Sequence, residues 1–271
     1  MSSLIRIGSP QIRRPRLTKT VIQLTDLHLF ADRTGQLAGI RTWDTFEAIL
    51  AEVRARYPDF DLLVLTGDLV HDDTLKTYEM LREALGDWSV RCRMIPGNHD
   101  DPRLLRQIFA EGFSNAGSSL AFASHCGDWR MIGLDSHVPA QVAGRIGTPQ
   151  LEWLAACLES QPEVPTLLFV HHPPVSIDVA WLDATRLEAP MGLCALIERS
   201  PQVRAVCAGH VHQESEMHIA GTPVYTTPST CVQFGARAEK SYDPRTAGYR
   251  SFTLRPDGFS TEVHRLSHAP R

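Results

Sequence analysis

Five short apolar runs in this chain each stop at a cluster of Asp, Asn or His, and that repeated arrangement is what most constrains the fold. Val21-Ile22-Gln23-Leu24 leads into Thr25-Asp26-Leu27-His28, Leu62 to Leu65 into Thr66-Gly67-Asp68, and Met94-Ile95 into Pro96-Gly97-Asn98-His99-Asp100. Leu167 to Val170 ends in His171-His172, and Val203 to Cys207 ends in Gly209-His210-Val211-His212. The runs have the length of buried strands, as do Met131 to Leu134 and the stretch from Val90 to Ile95. Segments of helical period lie between them. Phe46, Ile49, Leu50 and Val53 put one apolar face on a helix from about Thr42 to Arg56, which Pro58 ends. A second helix starts with Thr148 as its cap and Pro149 in its first turn, and stops before Pro162. Beyond residue 212, short segments separated by Gly221, Pro223, Pro228, Gly248 and the Pro256-Asp257-Gly258 turn predict antiparallel strands.

The expected class is therefore α/β, with mixed sheets packed between helices. In open α/β sheets ligands bind where the carboxyl ends of strands meet, so the five polar clusters are predicted to share one place. A chain of 271 residues, 43% hydrophobic, can bury a full core as one domain, expected at 20–271 behind a basic arm at 1–19 (Arg6, Arg13, Arg14, Arg16, Lys19). A net charge of −4 supplies no overall basic field, so neither nucleic acid nor a membrane surface is expected as a partner. The six cysteines are widely spaced and include no Cys-x-x-Cys pair, which fits a reduced, cytoplasmic protein.

Asp26, His28, Asp68, Asn98, His171, His210 and His212 form a mixed oxygen and nitrogen set suited to Mn, Fe, Zn or Co rather than Ca. With no thiolate among them, a structural zinc site is disfavoured. Seven candidates exceed what one tetrahedral ion needs, so two ions sharing a carboxylate are expected. His172 is expected to support the site without binding metal. His71 is expected either at the substrate or in a solvated loop. His125, His137, His218, His264 and His268 are expected at the surface, and Arg237, Lys240, Arg245 and Arg250 are expected to face water. Trp43 and Trp153 are expected in the core.

The ordered set Asp26-x-His28, Gly67-Asp68, Gly97-Asn98-His99-Asp100, His171 and Gly209-His210-x-His212 resembles the calcineurin-like metallophosphoesterases. That resemblance implies a four-layer αββα sandwich of two mixed sheets flanked by helices. It implies that Asp26, His28 and His212 hold one metal, Asn98, His171 and His210 the second, and that Asp68 bridges. The metal pair is expected to be Fe/Mn, with Zn or Co as alternatives. Asp26-Leu27-His28-Leu29-Phe30, His171-His172-Pro173-Pro174 and the tail from Gly248-Tyr249-Arg250 to Gly258 are similar to the bacterial class III cyclic-nucleotide phosphodiesterases. The implied reaction is hydrolysis of 3′,5′-cyclic AMP, or a related cyclic nucleotide, to the 5′-monophosphate by in-line attack of a hydroxide bridging the metals.

His99, beside Asn98, is predicted to be catalytic, protonating or stabilising the leaving oxygen. Asp100 is predicted to orient it through a carboxylate to imidazole hydrogen bond. Asn98, His99, His212 and His71 are the expected substrate contacts. Glycerophosphodiesters or a broader set of diesters are the alternative substrates. A protein phosphatase fits less well, because Leu69-Val70-His71-Asp72-Asp73 and Asp100 stand where that group has other residues. A nuclease would need a basic groove or an added domain. An inactive scaffold is disfavoured by the presence of all seven candidate ligands and His99. A homodimer is expected, paired through a C-terminal strand edge.

Overall fold

The computed structural model describes residues 18–113, 119–237 and 239–268. Most of the expected basic arm lies outside these residues, but Lys19, assigned to it, is the first residue of strand β1 and pairs with Asp61 at 2.8 Å.

Eleven strands among the described residues form two sheets. The first contains β1 (Lys19–Leu24), β2 (Leu62–Thr66), β3 (Cys92–Ile95), β10 (Gly248–Arg255) and β11 (Gly258–Arg265), in the order β11-β10-β1-β2-β3. The second contains β4 (Phe122–Cys126), β5 (Trp129–Leu134), β6 (Thr166–Val170), β7 (Val203–Ala208), β8 (Ser215–Ile219) and β9 (Thr222–Thr226), in the order β8-β9-β7-β6-β5-β4. Central strands run parallel and each sheet carries antiparallel strands at an end, so both sheets are mixed.

Alternation along the central strands builds four layers. Val21, Leu62, Val64 and Phe252 from the first sheet meet Met131, Leu167, Phe169 and Cys207 from the second in one buried cluster between the sheets. Neighbouring residues Ile22, Leu24, Leu63 and Leu65 face the other way, against helices α1 (Thr42–Arg56) and α2 (Leu75–Leu85). On the far side, Leu168, Val170 and Val206 pack on α4 (Thr148–Ser160) and α6 (Met191–Glu198), the two shortest α-helices among the described residues being α3 (Pro102–Ile108) and α5 (Ala180–Asp183). Because both faces are covered, the central strands read as continuous apolar runs rather than as alternating ones. The stripe Phe46, Ile49, Leu50 and Val53 is buried, along with Trp43, and each such side chain contributes roughly 1.5–3 kcal/mol.

Three boundaries differ from expectation. Val90 is 79% exposed: Gly86–Arg91 is a 3-10 turn and β3 begins only at Cys92. Thr148 is the first helical residue of α4, and the cap position belongs to Gly147, which makes no side-chain hydrogen bond. Strand β9 pairs antiparallel with β8 but parallel with β7, so the tail is not purely antiparallel.

Candidate metal centre

The loops that follow β1, β2 and β7 leave the strands through left-handed backbone. Asp26 (φ 54°), His28 (φ 47°), Asp68 (φ 52°), His210 (φ 67°) and His212 (φ 50°) all sit there. Asp and His tolerate this region better than branched residues, yet such positions still cost on the order of 1–3 kcal/mol each. Residue pairs two apart that would share one face of a strand are thereby turned to converge from different directions.

Backbone bonds stitch the loops together. Asp26 N donates to Gly67 O at 2.9 Å, His28 N to Asp68 O at 2.9 Å, and Gly209 N to His171 O at 3.0 Å. Two glycines let the chains approach. A Cβ on Gly67 would stand 2.5 Å from the His171 ring and 2.6 Å from Gly97 N, and one on Gly97 would stand 2.2 Å from Asp68 Oδ1.

The side chains then close around a small buried volume. Ligand atoms of Asp26, His28 and His212 lie within 4.8 Å of one another, and so do those of Asp26, Asp68 and His171. One carboxylate oxygen, Asp68 Oδ2, lies 3.6 Å from His28 Nε2 and 3.5 Å from His171 Nε2. His212 Nε2 is 3.3 Å from Asp26 Oδ1 and 3.3 Å from His28 Nε2. All of these residues are buried.

The far ring nitrogens show which atoms point inward. His171 Nδ1 donates to Thr66 O at 2.7 Å and His212 Nδ1 to Val232 O at 2.8 Å, so Nε2 is the nitrogen that each ring turns to the cluster. His210 Nε2 is held by Thr185 Oγ1 at 3.0 Å, and His28 Nδ1 lies 3.2 Å from His71 Nδ1. Ring nitrogens thus face carboxylate oxygens and one another. Burial drives the His28 and His210 rings down to about 3, holding them neutral. At His171, burial also opposes charge, but the neighbouring Asp68 carboxylate outweighs it and lifts the ring to about 9. Asp26 and Asp68 stay below the usual carboxylate range although burial opposes it, because His212 and His171 respectively lie beside them.

The sequence profile described as calcineurin-like phosphoesterase matches residues 19–214, a span that contains all seven candidate ligands. The chain belongs to the calcineurin-like phosphoesterase family. It is 36% identical over 250 residues to the 3′,5′-cyclic adenosine monophosphate phosphodiesterase CpdA of Escherichia coli K12, covering 91% of this chain and 90% of that one. It is 34% identical over 256 residues to a 3′,5′-cyclic-nucleotide phosphodiesterase of Nostoc sp., covering 94% and 95%. Among solved structures, a dimetal phosphatase from Danio rerio superimposes with a TM-score of 0.71 at 15% identity, covering 91% of this chain and 96% of that one, a likeness of fold.

A calcineurin-like phosphoesterase fold implies a dinuclear divalent metal site, and the donors here fit one. Asn98 Oδ1 and His171 Nε2 are buried without a hydrogen-bond partner among the described residues, and a bound cation would satisfy both. The pairing of carboxylates with imidazoles whose far nitrogens are engaged is how metal-binding histidines are usually fixed.

Residues outside the ligand set fall differently from expectation. The Asp100 carboxylate does not face His99. It accepts from Gly97 N at 2.8 Å, Leu69 N at 3.1 Å, Val70 N at 3.3 Å and Tyr78 OH at 3.1 Å, because the loop after β2 carries donors that need a buried acceptor. Burial, then the Asp68 charge, raises Asp100 to about 7 against the pull of those donors. His99 donates its backbone N–H to Asp68 Oδ1 at 2.9 Å, and its ring stacks on His71, with centroids 4.9 Å apart at 21°. His71 therefore lies at the site and not in a solvated loop. His172 supports without ligating, since its ring nitrogens bond Ser136 Oγ at 2.8 Å and Val142 O at 3.0 Å.

Two residues expected at the surface are buried. Arg250 is 4% exposed and donates to Thr227 Oγ1, Thr261 Oγ1 and Thr226 O. His264 is also 4% exposed and bonds Tyr57 OH and Ser251 Oγ. Thr185, Trp181, Val232 and Phe234 were not legible: they lie in the short helix Ala180–Asp183, the two-residue strand Gln233–Phe234 and the segments beside them, with no motif, and Phe234, stacked on His212 at 3.9 Å and 10°, is far from it in sequence.

Proposed function

We propose that this chain is a metal-dependent phosphodiesterase that hydrolyses 3′,5′-cyclic AMP or a related cyclic nucleotide to the 5′-monophosphate. The observation that carries the reading is Asp68 Oδ2, nearly equidistant from His28 and His171, one residue from each expected metal group. The names and identities of the relatives from Escherichia coli and Nostoc support the substrate.

Asp26, His28 and His212 would hold one ion, Asn98, His171 and His210 the other, with Asp68 between them. Iron and manganese suit these donors, and zinc or cobalt would also fit. When bound, two divalent cations withdraw charge from the phosphoryl oxygens and make a nucleophile available at neutral pH.

The chain's own residues do the rest. Asn98, His99, His212 and His71 border the diester. The His99 ring, half-buried at the rim, holds a proton for the leaving oxygen: as a hydroxide oxygen bonds to phosphorus, the P–O3′ bond breaks and the proton passes from His99 to O3′. Asp100 acts one step removed, holding the Leu69 and Val70 amides so that Asp68 keeps its place. The six free cysteines support a reducing, cytoplasmic location, and no helix among the described residues is long and apolar enough to cross a membrane. A homodimer would form by pairing along β11, the terminal strand of the first sheet.

The test is one parallel assay. Manganese-loaded protein is offered cyclic AMP, 2′,3′-cyclic nucleotides, glycerophosphocholine, a chromogenic diester and a chromogenic monoester. Cyclic AMP turned over with the highest kcat/KM supports the reading, and preference for the monoester refutes it.

A further inference from the structure

Beside the polar centre the cavity changes character. It encloses about 280 Å³, and besides Asp68, Asn98 and His99 it is lined by Val142, Trp181, Leu182 and Phe234. Trp181, Leu182 and Phe234 belong to a small apolar cluster separate from the three main cores: Leu182 packs with Val179 and with Val211, the residue between His210 and His212, and Trp181 and Phe234 lie against them. The aromatic rings form a tier. Trp181 meets Phe234 edge-on at 5.1 Å and 68°, and Phe234 lies 6.0 Å from Tyr242, which is 50% exposed. Val142 is 54% exposed, so the shelf is open to solvent on one side. Trp181 Nε1 is buried with no hydrogen-bond partner among the described residues, so packing alone places the indole.

We propose that this aromatic shelf is a nucleobase slot and that Trp181 is the residue that makes the enzyme select a nucleotide over a glycerol-based diester. The proposal rests on the phosphodiesterase reading and adds the part of the substrate that the metals do not touch. Three features choose the occupant. A planar heteroaromatic ring can stack on the tier, whereas the hydroxyls of a glycerol moiety would be stripped of water against Trp181 and Leu182 without compensation. A quaternary ammonium group would also suit aromatic faces, but Lys240 lines the same cavity and repels a cation. The cavity lies near the lower end of small-molecule pockets, which run from about 300 Å³ upward, so it suits one mononucleotide and not a polymer.

Two measurements test the slot. The chain has five tryptophans, so zinc-loaded protein labelled with nitrogen-15 gives a short set of indole N–H signals, and the one missing in Trp181→Phe is that of Trp181. Adenosine 5′-monophosphate should shift the Trp181 signal, and glycerol 3-phosphate should leave it in place. A signal unmoved by the nucleotide, or moved equally by both phosphates, overturns the slot. The second measurement is the ratio of kcat/KM for cyclic AMP to that for the same cyclic ribose phosphate lacking its base. Loss of one stacked base should cut that ratio roughly 5- to 100-fold in Trp181→Leu, and an unchanged ratio in folded variant protein overturns the assignment. If wild-type protein cleaves neither cyclic diester, the proposed function fails, while the spectroscopic titration still decides the slot.

Discussion

Replacing Gly97 with alanine adds one methyl group and removes no ligand, yet it should abolish most activity. The new Cβ would stand 2.2 Å from Asp68 Oδ1, 2.3 Å from Asp68 N and 2.8 Å from His171 Nε2. Ordinary carbon contacts begin near 3.5 Å, so Asp68 must retreat by about 1 Å. It has little room to do so, because Asp68 O accepts from His28 N, and Leu69 N is held by Asp100. Overpacking of this kind costs about 1–3 kcal/mol, and each kcal/mol lowers Tm by roughly 2–4 °C in a domain of this size. The larger effect is on position, since a misplacement of about 1 Å at a reacting centre lowers turnover on the order of 10²-fold. The assay is diester hydrolysis with metal content read by plasma mass spectrometry. Gly112→Ala is the control, because its added Cβ would meet nothing closer than Met94 Cγ at 3.8 Å. If Gly97→Ala holds two metals per chain and turns over within about twofold of wild type, the close approach is not what positions Asp68.

Four further outcomes follow from the geometry. His99→Ala should keep its metals and lose on the order of 10²-fold in kcat, and unchanged kcat would remove His99 from proton transfer. Asp100→Asn, which leaves some of the donors around Asp100 without an acceptor, should cost about 1–3 kcal/mol per unsatisfied group and lower Tm in thermal melts. Chelation should lower Tm, because cations bound among these buried carboxylates and imidazoles stabilise the folded chain and not the unfolded one, and a Tm insensitive to chelator would contradict the metal fit. His264, held below its ordinary value near 6.5 first by burial and then by Arg56, is preferentially neutral in the fold. Its contribution is complete above that value and is lost as pH falls below it toward the lowered one, so His264→Gln should show a shallower loss of Tm between about pH 7 and pH 5.

How far the sequence could be read depended on whether a residue announced itself through periodicity or through neighbours. Helix α1 was legible from end to end, since Phe46, Ile49, Leu50 and Val53 repeat at helical spacing and Pro58 follows. The strand ends were legible because a run buried on both faces is uniformly apolar until it meets the site, as Leu62–Thr66 shows before Gly67 and Asp68. Val90 misled because a single apolar residue before β3 carries no phase information, and the chain there coils into a 3-10 turn. Asp100 misled for a different reason. Adjacency to His99 in sequence suggested a bond between side chains, while the unpaired amides of another loop, more than 25 residues upstream, claimed the carboxylate. Arg250 and His264 became buried because β10 and β11 fold back onto the first sheet, a long-range pairing that local composition does not record. Thr185 and Val232, which hold the outer nitrogens of His210 and His212, contribute a hydroxyl and a backbone carbonyl that almost any loop could offer.

The left-handed backbone at Asp26, His28, Asp68, His210 and His212 bears on how such a chain can change over generations. At each of these positions glycine would relax the main chain, so losing the reactive side chain and gaining ease of folding point the same way. Selection for abundance alone would therefore erode the centre, and drift would leave well-folded, inert descendants. Libraries screened only for solubility or heat resistance should enrich glycine and asparagine at these five positions, and such enrichment, mapped without any activity assay, would trace the outline of the centre.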